Sequence, residues 1–144
     1  MEQKDLYIAE LIFNLSRFVQ EETIPHPSMT VSAIPKECYL SQKIIGEYNA
    51  FTALYASEEV LCDFARAYSK FEIDGYDDLT REILVDFLNL HNGFFAVNLS
   101  DSQEIECTLM PPNTDPDAEL DLNMHTYILP IEFDFGTVNF ILSE

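Results

Sequence analysis

The chain has 144 residues, about the size of one domain, and 47% of them are apolar, which excludes wholesale disorder. Asp and Glu number 26 against 7 Lys and Arg, a formal net charge of −19. That balance argues against nucleic acid and against anionic membrane surfaces, since both are bound through Lys and Arg.

Residues 5–20, DLYIAELIFNLSRFVQ, carry apolar side chains at helical spacing. Leu6, Ala9, Leu11, Ile12, Phe13, Leu15 and Val19 make a broad stripe, and Glu10, Asn14 and Arg17 lie opposite. Asp5 is placed to cap this helix, and Pro25 and Pro27 to end it. Residues 29–34 alternate as a short strand before Pro35. Residues 38–45 and 50–56 predict two more strands, with the turn at Gly46–Asn49. Ser57 followed by Glu58 and Glu59 opens a second helix, which runs to about Ser69. Asp74-Gly75 marks a turn.

Residues 77–99, DDLTREILVDFLNLHNGFFAVNL, predict the third helix. Ile83, Phe87, Leu90 and Phe94 form its apolar line, flanked by Leu84, Leu88 and His91. Gly93 interrupts the pattern, which calls for an early helix end or the close approach of another backbone. Residues 104–110 alternate as a strand stopped by Pro111-Pro112, and 113–123 form an acidic loop. Residues 124–133 and 137–142 make a hairpin turning near Asp134-Phe135-Gly136. Pro130 within its first strand argues for an edge or a bulge. The order predicts one mixed α/β (α+β) domain over residues 1–144, with mostly antiparallel pairing.

Few catalytic signatures fit. The four glycines, Gly46, Gly75, Gly93 and Gly136, are too far apart for a phosphate-binding loop. Cys38, Cys62 and Cys107 form no C-x-x-C, so free thiols in a reducing compartment are expected. His26, His91 and His125 lack metal-ligand spacing, and His91 falls among core-side positions. Asp115, Asp117, Glu119, Asp121 and Asn123 alternate, but a calcium loop needs Gly and Glu where Leu120 and Thr126 stand. A solvated acidic loop is the expectation there. The chain starts without a signal-peptide pattern and has no apolar run near the roughly 20 residues of a membrane span. A cytoplasmic protein is expected.

One surface stands out. Glu82, Asp86, Asn89 and Gly93 recur at spacings that place them on one face of the third helix. Such a stripe is ordinarily just a solvated face. This one contains no Lys or Arg, so Glu82 and Asp86 gain no i,i+4 pairing and repel slightly.

DFLNLHNG, residues 86–93, resembles the E-x-x-N-x-x-x-G helix signature of the CheX and CheC chemotaxis phosphatases. The order of elements is similar throughout: strands around Ile45-Gly46 and Phe51–Tyr55, a Ser57-Glu58 helix start, a strand ending Leu109-Met110-Pro111-Pro112, and the closing hairpin. The resemblance implies a mostly antiparallel sheet packed with three helices, and a homodimer. It implies hydrolysis of the aspartyl phosphate on a CheY-like response-regulator receiver domain. It implies no cofactor of the chain's own, the Mg²⁺ belonging to the receiver. Asp86 then takes the family's acid role, pairing with the receiver's Lys, and Asn89 the amide role, orienting the attacking water. Glu82, Asn92 and Gly93 shape the docking face. The family's usual acid is Glu, one methylene longer than Asp86, and Glu82 is placed to reach the same Lys. The shorter acid favours an alternative, a non-catalytic adaptor that binds the receiver. A third reading is an assembly scaffold related to flagellar switch components.

Overall fold

Strand formation follows the alternation of side chains. In β3 (Tyr39–Gly46), Leu40, Gln42 and Ile44 face one way; in β4 (Ala50–Tyr55), Ala50, Thr52 and Leu54 share that side. The computed structural model describes residues 2–34, 39–115, 118 and 120–144. Within them, β1 (Ile24–Pro25), β2 (Met29–Val31), β5 (Cys107–Leu109), β6 (Thr126–Phe133) and β7 (Gly136–Ser143) complete an antiparallel sheet. Its order is β1-β6-β7-β4-β3-β5, with β2 also paired to β6. Cys38, Pro35, Asp117 and Glu119 lie outside the described residues.

Three helices cover one face: α1 (Gln3–Asn14), α2 (Glu58–Ser69) and α3 (Asp78–Gln103). Leu11, Leu15, Phe64, Leu84, Phe87, Leu88 and Phe95 pack there on Leu40, Leu54, Leu129 and Phe140. A smaller cluster on the opposite face joins Tyr39, Phe51, Tyr55, Ile128 and Ile141 to Val31, Leu120 and Leu122.

The first helix departs from expectation. It starts at Gln3 after Glu2, with no side-chain cap, so Asp5 sits inside the first turn. From Leu15 to Val19 the chain widens into a π-helical turn, and the Gln20 N–H bonds to the Leu15 carbonyl. Asn14 is buried and Phe13 is exposed, the reverse of the expected faces. Asn14 is retained inside because His91 and Arg17 engage both ends of its carboxamide.

Other boundaries follow the expected chemistry. The Ser57 hydroxyl caps α2 by accepting from the Val60 N–H at 3.3 Å. Gly136 adopts φ +136 in the hairpin, where a Cβ would meet Val60 at 2.6 Å. Pro130 is neither at a free edge nor in a bulge. It pairs in register with Asn139 of β7, and its carbonyl accepts from the His26 N–H at 2.9 Å, in the gap between β1 and β2. The missing proline N–H thus falls where the outer ladder is already interrupted.

Candidate functional site on α3

Asp77 starts α3 by accepting the Thr80 N–H at 3.0 Å. That hydrogen bond holds the Asp77 carboxyl below its ordinary range. The helix then runs unbroken past Gly93 to Gln103. Gly93 therefore ends nothing, and among the described residues nothing outside its own stretch of helix comes within 4 Å of where its Cβ would stand. The first half of the expected apolar line is buried, Ile83 and Phe87 together with Leu84 and Leu88, but its second half is not: Leu90 is half-buried and Phe94 exposed, and Phe95 and Leu99 continue the core face.

Glu82, Asp86 and Asn89 emerge on one exposed face, with Gly93 half-buried beyond them. Tyr68, at the end of α2, donates its hydroxyl to Asp86 Oδ2 at 2.7 Å. Partial burial, then the neighbouring carboxylate, pushes the Tyr68 phenol above its ordinary value. Tyr68 therefore remains a donor and fixes one oxygen of Asp86. Asn89 is tied from the opposite side: Gln42 Nε2 of β3 donates to Asn89 Oδ1 at 2.6 Å.

Asn92 is not on this face. Its side chain is fully buried, which removes it from the expected docking surface. Its Oδ1 accepts from the Tyr7 hydroxyl at 2.8 Å. Its Nδ2 donates to Gln42 Oε1 at 2.9 Å and to Thr52 Oγ1 at 2.8 Å. Burial raises the Tyr7 phenol above its ordinary value, so Tyr7 is a neutral donor.

Two open grooves flank the site. One is lined by Phe18, Tyr68, Phe71, Glu82, Ile83 and Asp86. The other is lined by Asp86, Asn89, Leu90, Gly93, Phe94, Val97 and Leu109. Phe71, Phe94 and Val97 are exposed. The Arg17 guanidinium lies 4.5 Å from the Phe94 ring centroid and 4.6 Å from those of Phe13 and Phe18. A carboxylate and a carboxamide on a helix surface, rimmed by exposed aromatic and aliphatic groups, suit a macromolecular surface better than an enclosed small molecule.

The remaining candidates lie elsewhere. His91 is buried against Tyr7 and Phe87, its Nδ1 accepting from Asn14 Nδ2 at 3.0 Å. Burial pushes it down to about 3, so it is a neutral core group. Cys62 is a buried free thiol and Cys107 a half-buried one. Asp121 pairs with Lys43 at 2.5 Å, and Asn123 bonds to Ser143. Among the described residues no cluster of three or more His, Cys, Asp or Glu could hold a metal ion. No helix there is long and apolar enough to cross a membrane.

Sequence reasoning missed Gln42, Tyr7, Thr52 and Tyr68. For Gln42 and Thr52 a signal existed: each is polar at a strand position between two core-facing apolar residues. For Tyr68 there was none, because its link to Asp86 joins separate helices.

No family model and no curated protein matches the sequence. Solved structures match closely in fold. The chemotaxis protein CheX from Vibrio vulnificus aligns at TM-score 0.80 with 11% identity, over 99% of this chain and 99% of that one. A CheC-like superfamily protein from Shewanella sp. PV-4 aligns at 0.79 with 14% identity, over 99% and 97%. CheX from Borrelia burgdorferi, solved in a CheX–CheY–BeF3–Mg²⁺ complex, aligns at 0.78 with 16% identity, over 99% and 97%. The chain therefore has the CheX/CheC-like fold, a mostly antiparallel sheet with three helices.

Proposed function

We propose that this chain hydrolyses the aspartyl phosphate of a CheY-like receiver domain, using Asp86 and Asn89 on the exposed face of α3. The observation that carries the proposal is that pairing: an acid and an amide side by side, each held from behind, by Tyr68 and Gln42. The fold adds support, because one protein that shares it forms a complex with CheY, BeF3 and Mg²⁺. BeF3 on an aspartate stands in for a phosphoryl group.

An acyl phosphate is already reactive, so acceleration requires mainly that water be placed in line with the phosphorus. Asn89 brings a carboxamide to the site without adding charge beside an anion. Asp86 pairs with the receiver's Lys, and the Mg²⁺ is the receiver's. Glu82 lies one turn before Asp86 on the same face, and Gly93 leaves room for the partner's surface.

The test is loss of phosphate from a CheY-type receiver charged with acetyl phosphate. Asn89→Ala should lower the accelerated rate by about 10²-fold, the scale of losing a positioned group. An unchanged rate in Asn89→Ala rejects the site. One observation favours the adaptor reading: Asp86 is one methylene shorter than Glu and already occupied at one oxygen by Tyr68. A wild-type protein that binds the receiver without accelerating phosphate loss establishes that reading instead.

A further inference from the structure

Gln42 is 2% exposed at a core-facing position of β3, among apolar neighbours. A buried amide there requires partners for all its polar atoms. It has them: Nε2 donates to Asn89 Oδ1 at 2.6 Å and to the Met110 carbonyl at 2.9 Å, and Oε1 accepts from Asn92 Nδ2 at 2.9 Å.

The polarity of this chain of bonds is fixed by backbone groups. The Met110 carbonyl can only accept, so the Gln42 nitrogen must point toward it and toward Asn89. The Thr52 hydroxyl donates to the Gln42 carbonyl at 2.7 Å, leaving its lone pairs to accept from Asn92 Nδ2 at 2.8 Å. Asn92 must therefore turn its oxygen to the Tyr7 hydroxyl. Each amide orientation follows from the others, and reversing one would oppose donor to donor or acceptor to acceptor.

We infer that Gln42 is a positioning residue that sets the polarity of the Asn89 carboxamide, oxygen inward and NH₂ toward the partner. This deepens the phosphatase reading and rests on it for its kinetic consequence. With Oδ1 anchored, Nδ2 is the group offered to the phosphoryl oxygens, and the remaining Oδ1 lone pair is available to the attacking water. The Gln42 bond also polarises the amide and strengthens its N–H as a donor.

Gln42→Glu tests polarity with nearly unchanged shape. Carboxylate at 42 still accepts from Asn92 but cannot donate to Asn89, so Asn89 turns its NH₂ inward. With a CheY-type receiver charged by acetyl phosphate, the accelerated rate should fall at least about tenfold near pH 8. Affinity for the same receiver loaded with BeF3 and Mg²⁺ should change less than about twofold, because Asn89 still occupies the face. Burial beside carbonyl oxygens raises a carboxyl's pKa. The protonated acid has one O–H for two acceptors, Asn89 Oδ1 and the Met110 carbonyl, so lowering the pH should restore the ratio of variant to wild-type rate at most in part. A wild-type rate in Gln42→Glu near pH 8 overturns the inference.

A second measurement stands independently of activity. In ¹⁵N-labelled protein the Asn89 side-chain amide should be as ordered as the helix backbone, and should become mobile in Gln42→Met, which keeps the volume and loses the bond. Equal mobility in both proteins overturns the inference even if the chain is an adaptor. Conversely, an ordered Asn89 whose replacement by Ala leaves the rate intact rejects the phosphatase reading and leaves the polarity assignment standing.

Discussion

Asn92 makes three buried hydrogen bonds, to Tyr7, Gln42 and Thr52. Its truncation would strand a phenol and an amide oxygen in a fully buried environment, at about 1–3 kcal/mol for each unsatisfied group. Asn92→Ala should therefore destabilise the fold by about 3 kcal/mol or more, measurable as a drop in the urea midpoint at constant slope. A change under about 0.5 kcal/mol, the range of ordinary surface substitutions, would show that the network is not closed. This position was legible from spacing. Asn92 follows Leu88 by four residues and precedes Phe95 by three, so it shares their core-facing side. Adjacency to Gly93 and Asn89 suggested a docking role instead, and a polar side chain on an apolar stripe gives no indication of partners on other strands. That Asp86 and Asn89 share one exposed face was legible from their spacing. The residues that hold them were not, since Tyr68 and Gln42 reach them across 18 and 47 positions of sequence.

At the scale of elements, short-range chemistry identified most of the fold. Ser57 starts α2 through the hydrogen bond its side chain predicts, α3 starts within a residue of its expected place, and the β6–β7 hairpin turns where Asp134-Phe135-Gly136 places it. Errors arose where tertiary contacts override pattern. Asn14 shares the α-helical face of Tyr7 and Leu11, seven and three residues before it, and is bonded there by His91, so it goes in and Phe13 out. Gly93 misled differently, because nothing within the chain needs it. A glycine inside a helix costs about 1 kcal/mol relative to Ala. With no described residue outside its own stretch of helix within 4 Å of a built Cβ, Gly93→Ala should stabilise the isolated protein by about that amount. The same methyl would project into the groove beside Asn89. If that groove receives a receiver domain, Gly93→Ala should weaken binding several-fold while raising the thermal midpoint. Titration calorimetry with the BeF3-loaded receiver, beside a melting curve, separates the two effects. Unchanged binding with raised stability would place the partner elsewhere.

At the scale of the whole molecule, the helical layer is held to the sheet by a core that includes one titratable imidazole. His91 contacts Tyr7 of α1 in edge geometry, with centroids 4.6 Å apart, and lies parallel to Phe87 at 6.3 Å. Its Nδ1 accepts from Asn14, and its Nε2 has no partner among the described residues. No opposing carboxylate is bonded to it, so burial alone pushes its value from the ordinary 6.5 down to about 3. The folded state therefore refuses a proton that the unfolded chain accepts. Stability from this group is complete above the unfolded value and is lost as pH falls from about 6.5 toward about 3. Carboxylates titrate near about 4 in model peptides, so the upper half of this window is nearly free of the chain's 26 acids. Between about pH 7.5 and about pH 5 the histidine contribution amounts to about 2 kcal/mol. Urea unfolding across that interval should show this decline in the wild type. In His91→Gln, which retains an acceptor for Asn14 and has no proton to gain, the decline should be smaller by the same amount. Its absolute stability can differ without affecting the comparison, because the slope with pH is what isolates the group. Parallel slopes in the two proteins would mean that His91 gains its proton without unfolding, through an opening of the α1–α3 interface to water.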